Sequence, residues 1–299
     1  MKRSLTILAV VVATAAAGSA WYIDNKLPVR DGTLQLTGLQ APVQVRYDER
    51  GVPHIQARNE ADLYRALGFV HAQDRLFQME LLRRLARGEL AEVLGPKLVD
   101  TDRLFRSLGI RQHADRYVQT LDRNSPSVKA LQAYLDGINQ FQASRPAPVE
   151  FDLLGIEKRP FTLEDTVSVA GYMAYSFAAA FRTEPVLTQV RDQLGADYLK
   201  VFDLDWHPGG AVAQRLGRDD WRALDSLARL SLQALEDAGL PQFEGSNAWA
   251  VAGSRTASGQ PLLAGDPHIR FAVPSVWYEA NLSYPGFSLY GHHQALNPV

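Results

Sequence analysis

The sequence predicts an α+β protein, a mainly helical stretch followed by a run of strands. Two observations predict it. Apolar residues recur at helical spacing through most of the chain up to residue 244. From Gly245 onward they alternate with small or polar residues and are punctuated by turn pairs such as Pro285-Gly286.

The first element stands apart from the fold. Lys2-Arg3 precede an uninterrupted apolar run from Leu5 to Ala17, and small residues follow at Gly18, Ser19 and Ala20. A positive prefix, an apolar stretch and a small-residue site make an export segment. The uncharged stretch continues to Ile23, long enough to span a bilayer if it is not cut. Residues 1–23 therefore read either as a signal peptide or as an inner-membrane anchor, and both place the protein in the periplasm or outside. A buried core helix fits the Lys-Arg prefix less well.

The next elements are strands. Val43, Val45 and Tyr47 alternate with Gln44, Arg46 and Asp48, the pattern of a half-buried strand. Asp48 to Gly51 reads as a turn and Val52 to Ile55 as a second strand, with Pro53 expected at an edge. Asn59 followed by Asp62 marks a helix start. Leu63, Leu67, Val70, Phe77, Leu81 and Leu85 then recur at helical spacing, Glu80 stands four residues before Arg84, and Gly88 and Gly95-Pro96 end the run. Further helices are predicted over about 102–121, 125–144, 163–181 and 185–201. Residues 217–239 are charged and amphipathic, with a narrow stripe of Leu224, Leu227 and Leu235, and read as a spacer or a peripheral helix. Strands follow around Trp249–Val251, Pro261–Ala264, Ser275–Tyr284 and Phe287–Tyr290, read as one meander. The resulting division is a helical region over 24–216, a spacer over 217–245 and a strand-rich part over 246–299.

Composition narrows the function. With 46% hydrophobic residues, 21% charged and a net charge of −2, the chain is ordinary globular material with no basic stripe for nucleic acid. Cysteine is absent. That excludes disulfides, a cysteine nucleophile and thiolate metal sites.

One hairpin brings reactive groups together. A turn near Thr256 or Ala257 sets Ser246, at a strand start, against Asp266-Pro267-His268 by antiparallel register. Taken alone these residues serve as well for turns as for chemistry. No Gly-x-Ser-x-Gly nucleophile elbow occurs, which argues against a conventional serine hydrolase.

Longer motifs add to this. The run Gly245-Ser246-Asn247-Ala248-Trp249-Ala250-Val251-Ala252-Gly253-Ser254-Arg255-Thr256, with Pro261-Leu262-Leu263-Ala264-Gly265-Asp266-Pro267-His268, resembles the start of the catalytic chain in the penicillin acylase family. The runs from Gly51 to Ile55, from Gly68 to Glu80 and from Arg87 to Gly95 resemble that family's N-terminal chain. The likeness extends from about residue 40 to the end, with one departure at Gly265, where the family usually carries Asn.

The resemblance implies an N-terminal-nucleophile hydrolase with an αββα core, of which this chain would be the N-terminal part. It implies self-cleavage between Gly245 and Ser246, after which the Ser246 hydroxyl is the nucleophile and its α-amine, with a reference pKa of about 7.7–8.0, the base. It places His268 beside an oxyanion donor, with further donors, including an Asn, beyond Val299. The implied activity is hydrolysis of the amide of a small acylated molecule, such as a β-lactam or an acyl-homoserine lactone, by two chains of one precursor. Met173, Phe177 and Ile269 match acyl-pocket positions, although core packing explains them equally well. Glu184 matches a calcium-binding carboxylate; no organic cofactor is implied. The competing function is a catalytically inactive envelope binding protein on the same scaffold, which replacement of Ser246 would favour.

Overall fold

The computed structural model describes residues 2–178, 180–202, 218–237, 239 and 243–298. In chain order these form α1 (Lys2–Asp24), β1 (Gln44–Tyr47), β2 (Pro53–Gln56), α2 (Glu60–Arg87), α3 (Ala91–Leu94), α4 (Val99–Leu108), α5 (Ile110–Thr120), α6 (Pro126–Ser144) and α7 (Val149–Leu154). They continue with α8 (Leu163–Phe177), α9 (Ala180–Leu194), α10 (Arg218–Asp237), β3 (Phe243–Val251), β4 (Leu262–Ile269), β5 (Trp277–Tyr284) and β6 (Phe287–Gln294). The chain is α+β, as predicted. Part of the predicted spacer, at residues 217, 238 and 240–242, lies outside the described residues. Among the described residues no helix is long and apolar enough to cross a membrane.

Several boundaries differ from the sequence reading for local reasons. The helix predicted over 102–121 is two helices, because Gly109 adopts φ 70 and ends α4 with a left-handed cap. The helix predicted to run to Phe181 ends at Phe177, and the next begins at Ala180 rather than at Pro185. Helix α7, only six residues long, was too short for periodicity to reveal. The N-terminal signal of α2 holds: Asn59 Oδ1 accepts from the Asp62 amide at 2.9 Å, and Asn59 Nδ2 donates to Asp62 Oδ2 at 2.7 Å.

The structure separates into two compact units. The first comprises residues 1–83, 114–167 and 276–299. Its four-stranded sheet runs in the order β1-β2-β5-β6. The strands after residue 275 thus join those before residue 57 instead of extending the β3–β4 hairpin, so the single meander read from sequence is two sheets. Strand β2 is correspondingly an inner strand, not an edge. Pro53 is tolerated because it is the first residue of β2: it pairs with Tyr47, while the parallel ladder to β5 starts one residue later, at His54 opposite Asn281.

One face of this sheet, carrying Ile55, Tyr278, Ala280 and Leu282, is buried. Burial there orders a polar network. Tyr278 stacks on His71 with ring centroids 4.1 Å apart and donates its hydroxyl to Asp74 at 2.8 Å. Tyr134 Oη accepts the Leu296 amide at 3.3 Å and is hydrogen-bonded to His71 Nδ1 at 2.9 Å. His71 is fully buried, and burial holds its pKa well below the ordinary value. His71 and Asp74, in one of the family-like runs, therefore have structural partners. Helices α2 and α6 touch backbone to backbone. A Cβ on Gly68 would lie 1.9 Å from the Tyr134 carbonyl oxygen, and one on Gly137 would lie 2.0 Å from that of Arg65.

The second unit comprises residues 84–113 and 168–275. Asp102 accepts the amides of Leu90 and Ala91, each at 2.9 Å, and closes the loop that follows Gly88. Phe105 packs edge-on against Tyr175, with centroids 5.2 Å apart. The same unit carries the β3–β4 ribbon.

Candidate active site

Strand β3 forms because its apolar residues alternate, and Gly253 lets it turn back. A Cβ on Gly253 would meet the Gly259 carbonyl oxygen at 2.2 Å, so only glycine fits the close approach of the two arms. The hairpin register follows: Gly245 is opposite His268, Ser246 opposite Pro267 and Asn247 opposite Asp266. The predicted juxtaposition of Ser246 with Asp266-Pro267-His268 is thus present as a pairing of backbones. The register slips by one residue between Phe243 and Gly245, immediately before Ser246. Such bulges re-aim the side chains that follow them.

The pleat then divides the side chains. Residues opposite one another share a face, and successive residues point to opposite faces. Asn247, Asp266 and His268 therefore occupy one face of the ribbon, and Ser246, Ala248 and Pro267 the other. The polar contacts agree. His268 Nε2 lies 2.8 Å from Asp266 Oδ2 and 3.2 Å from Asn247 Nδ2. Hydrogen bonds from His268 and then Asn247 hold the Asp266 carboxyl below the usual carboxylate range. The sequence brought Ser246, Asp266 and His268 together; the pleat sets the serine hydroxyl apart from the other two.

Ser246 is exposed, and its hydroxyl donates to the Gly245 carbonyl oxygen at 2.6 Å. The hydroxyl thus touches the carbonyl group it would attack. Gly245 is not strained: its φ is not positive, and nothing lies within 4 Å of where a Cβ would stand. Both arms of the ribbon are open to solvent, with Trp249 54% and Leu263 83% exposed.

The other predicted residues are more scattered. Met173 and Phe177 stand one turn apart on α8, the first half-buried and the second exposed, and Ile269 ends β4 half-buried. A cavity of about 320 Å³ lined by Leu34, Leu36, Val43, Val45, Phe69 and Val70 contains none of them. Glu184 is an exposed residue of α9. Among the described residues no group of three or more His, Cys, Asp or Glu is placed to hold a metal ion. Asn247 was missed as a partner of His268, although an amide two residues from the strand partner of that histidine was a legible signal.

Ser246 is thus an exposed serine, the fourth residue of β3, with its hydroxyl on the preceding carbonyl. A family profile described as penicillin amidase matches residues 42–299. Penicillin acylase 2 proenzyme of Pseudomonas sp. (strain SE83) is 40% identical over 273 residues, which cover 89% of this chain and 35% of that protein. Acyl-homoserine lactone acylase QuiP of Pseudomonas aeruginosa is 29% identical over 296 residues, covering 92% of this chain and 34% of that protein. Among solved structures, a thermostable penicillin G acylase from Alcaligenes faecalis is 26% identical, with a TM-score of 0.46, covering 59% of this chain and 98% of that one. The chain belongs to the penicillin amidase family. It spans about a third of the length of the curated relatives it matches.

Proposed function

We propose that the protein is an exported acylase that hydrolyses the amide of a small acylated molecule, with Ser246 as nucleophile. The observation that carries the reading is the Ser246 hydroxyl seated on the Gly245 carbonyl, on the ribbon face turned away from His268 and Asp266. An N-to-O shift needs the hydroxyl beside that carbonyl group. Ser246 Oγ rotates from the carbonyl oxygen to the carbon and attacks; the C–N bond breaks as the nitrogen takes up the proton; water then hydrolyses the ester. The freed α-amine, with a pKa of about 7.7–8.0, can next accept the Ser246 proton during substrate attack. Because the pleat withholds the imidazole from this hydroxyl, a base on the same residue is the simpler arrangement. Oxyanion donors, one of them near His268, would stabilise the tetrahedral intermediate.

The relatives' names, penicillin acylase and acyl-homoserine lactone acylase, support two substrate classes, β-lactams and acyl-homoserine lactones. Met173, Phe177 and Ile269 would line the acyl side. The name proenzyme on the first relative supports maturation into two chains that stay together. Structural calcium at Glu184 would need oxygen ligands from outside the described residues. N-terminal sequencing of the larger mature chain of the full-length gene product should read Ser246-Asn247-Ala248, and Ser246→Ala should remain uncut and inactive. A precursor that is active while uncut overturns the reading.

A further inference from the structure

The alternation of β1 sets Val43, Val45 and Tyr47 on one face, and these three residues line a cavity apart from the candidate active site. Val45, Phe69 and Val70 of α2, and Leu34 and Leu36 of the segment leading into β1 form its apolar wall, which encloses about 320 Å³. All of these residues belong to the first unit, whereas Met173, Phe177 and Ile269 belong to the second. A molecule of liquid water takes about 30 Å³, so the cavity has room for about ten non-hydrogen atoms. A largely apolar space with a few polar groups on its lining is the usual form of a small-molecule site.

The polar part of the lining offers unspent hydrogen-bond donors. Arg30 lines the cavity with its side chain half exposed, and its guanidinium stands 4.9 Å from the centre of the Tyr47 ring. Among the described residues no group accepts a hydrogen bond from it. Its ion pair there, with Asp74 Oδ1, is a loose 4.0 Å, and the other oxygen of Asp74 accepts the Tyr278 hydroxyl. The Tyr47 hydroxyl accepts from Gln73 Nε2 at 3.5 Å, and no described residue accepts its proton. Burial pushes the Tyr47 phenol up to about 12, so that proton stays in place at neutral pH. A guanidinium and a phenol beside an apolar space suit a carboxylate with a hydrocarbon tail. Asp31, exposed on the same lining, limits the charge, because it repels a second anionic group. We infer that this cavity binds an apolar monocarboxylic acid of about ten non-hydrogen atoms, its carboxylate on Arg30 and the Tyr47 hydroxyl and its tail among Leu36, Val45, Phe69 and Val70. The inference rests on the first unit alone and stands whether or not Ser246 is a nucleophile.

Octanoate has the required size and is the probe, titrated by calorimetry into the full-length gene product. Each buried methylene is worth about fourfold in affinity, the factor equivalent to about 0.8 kcal/mol. Hexanoate should therefore bind about fifteenfold more weakly, and dodecanoate, too long for the space, no more tightly than octanoate. Suberate, with a carboxylate at each end, should bind more weakly than octanoate. Arg30→Gln should weaken octanoate about tenfold, the loss of a charge-assisted hydrogen bond, and leave octan-1-ol unchanged. Arg30 is half exposed and gives up no hydrogen bond to the protein, so this variant should fold. Leu36→Trp should fill the cavity and block both ligands, with near-UV circular dichroism to show that it is folded; if it is not, Arg30→Gln decides alone. The proposal is overturned by absent octanoate binding, by equal octanoate affinity in wild-type and Arg30→Gln, or by undiminished binding to a folded Leu36→Trp. Affinity that keeps climbing to dodecanoate, or suberate binding as tightly as octanoate, also overturns it. A product that stays uncut at Gly245–Ser246 yet binds octanoate as described refutes the acylase reading and leaves this one standing.

Discussion

Replacing Gly68 by alanine tests the crossing of α2 and α6. The new methyl would lie 1.9 Å from the Tyr134 carbonyl oxygen, whereas ordinary contact begins near 3.4 Å. The obstacle is backbone in the middle of α6, so no side chain can swing away, and the helices must part by about 1.5 Å. A radial gap of 0.5–1 Å already forfeits about a quarter to a half of the dispersion well of each contact, and overpacking of this kind costs about 1–3 kcal/mol. Alanine returns roughly 1 kcal/mol through its better helix propensity. With backbone as the obstacle the cost falls at the upper end of that range, so the net loss should be about 2 kcal/mol, a fall in Tm of roughly 4–8 °C on the scale of a 150–250-residue domain. Gly137→Ala strikes the same crossing from the other side, 2.0 Å from the Arg65 carbonyl oxygen. Once the helices have parted, the second methyl should cost less than it does alone, so the double variant should be sub-additive. Gly291→Ala, with nothing within 4 Å of the new Cβ, is the control. Thermal unfolding of the purified full-length product, followed by near-UV circular dichroism, reads the effect. An unchanged or raised Tm for Gly68→Ala would refute the close crossing.

If the Ser246 α-amine is the base, acylation should fall as pH drops through a group near 7.7–8.0. Acetylating that amine in mature enzyme should then abolish turnover, and activity retained after verified acetylation would hand the role to His268 despite its place on the other face. His71 is buried neutral, its pKa depressed chiefly by desolvation, so below the unfolded value near 6.5 the unfolded chain binds the extra proton. Stability should therefore fall as pH drops below about 6.5, by up to about 1.4 kcal/mol per pH unit from this group. Chemical denaturation at pH 7.5 and 5.5 should show that loss in wild-type and less of it in His71→Gln; equal losses would remove His71 as the cause. Full-length wild-type protein should carry calcium that Glu184→Gln loses, measured by metal analysis after dialysis, and equal content would strike Glu184 from the site.

The local devices of this protein were legible without coordinates. Asn59 and Asp62 announced a helix start, the turn after Gly253 fixed the register, and Ser246 was set against Pro267 by counting residues along two arms of one hairpin. These depend only on neighbours in sequence, where periodicity and turn chemistry act directly. The left-handed break at Gly109 was of the same kind, but an amphipathic pattern that continued across it hid the stop. What pairs across long separations was not legible. Strand β5 joins β2, more than two hundred residues earlier, because its Tyr278, Ala280 and Leu282 face shares a buried side with Ile55 and the residues of α2; no residue in β5 names that partner. Sequence thus determined which segments are helices and strands, and that Ser246 lies opposite Pro267 along one hairpin. Tertiary structure alone decided that Pro53 sits in an inner strand and that Gly68 and Gly137 let two helices touch. Those outcomes follow from burial and steric contact between distant segments, and such contacts exist only once the chain has folded.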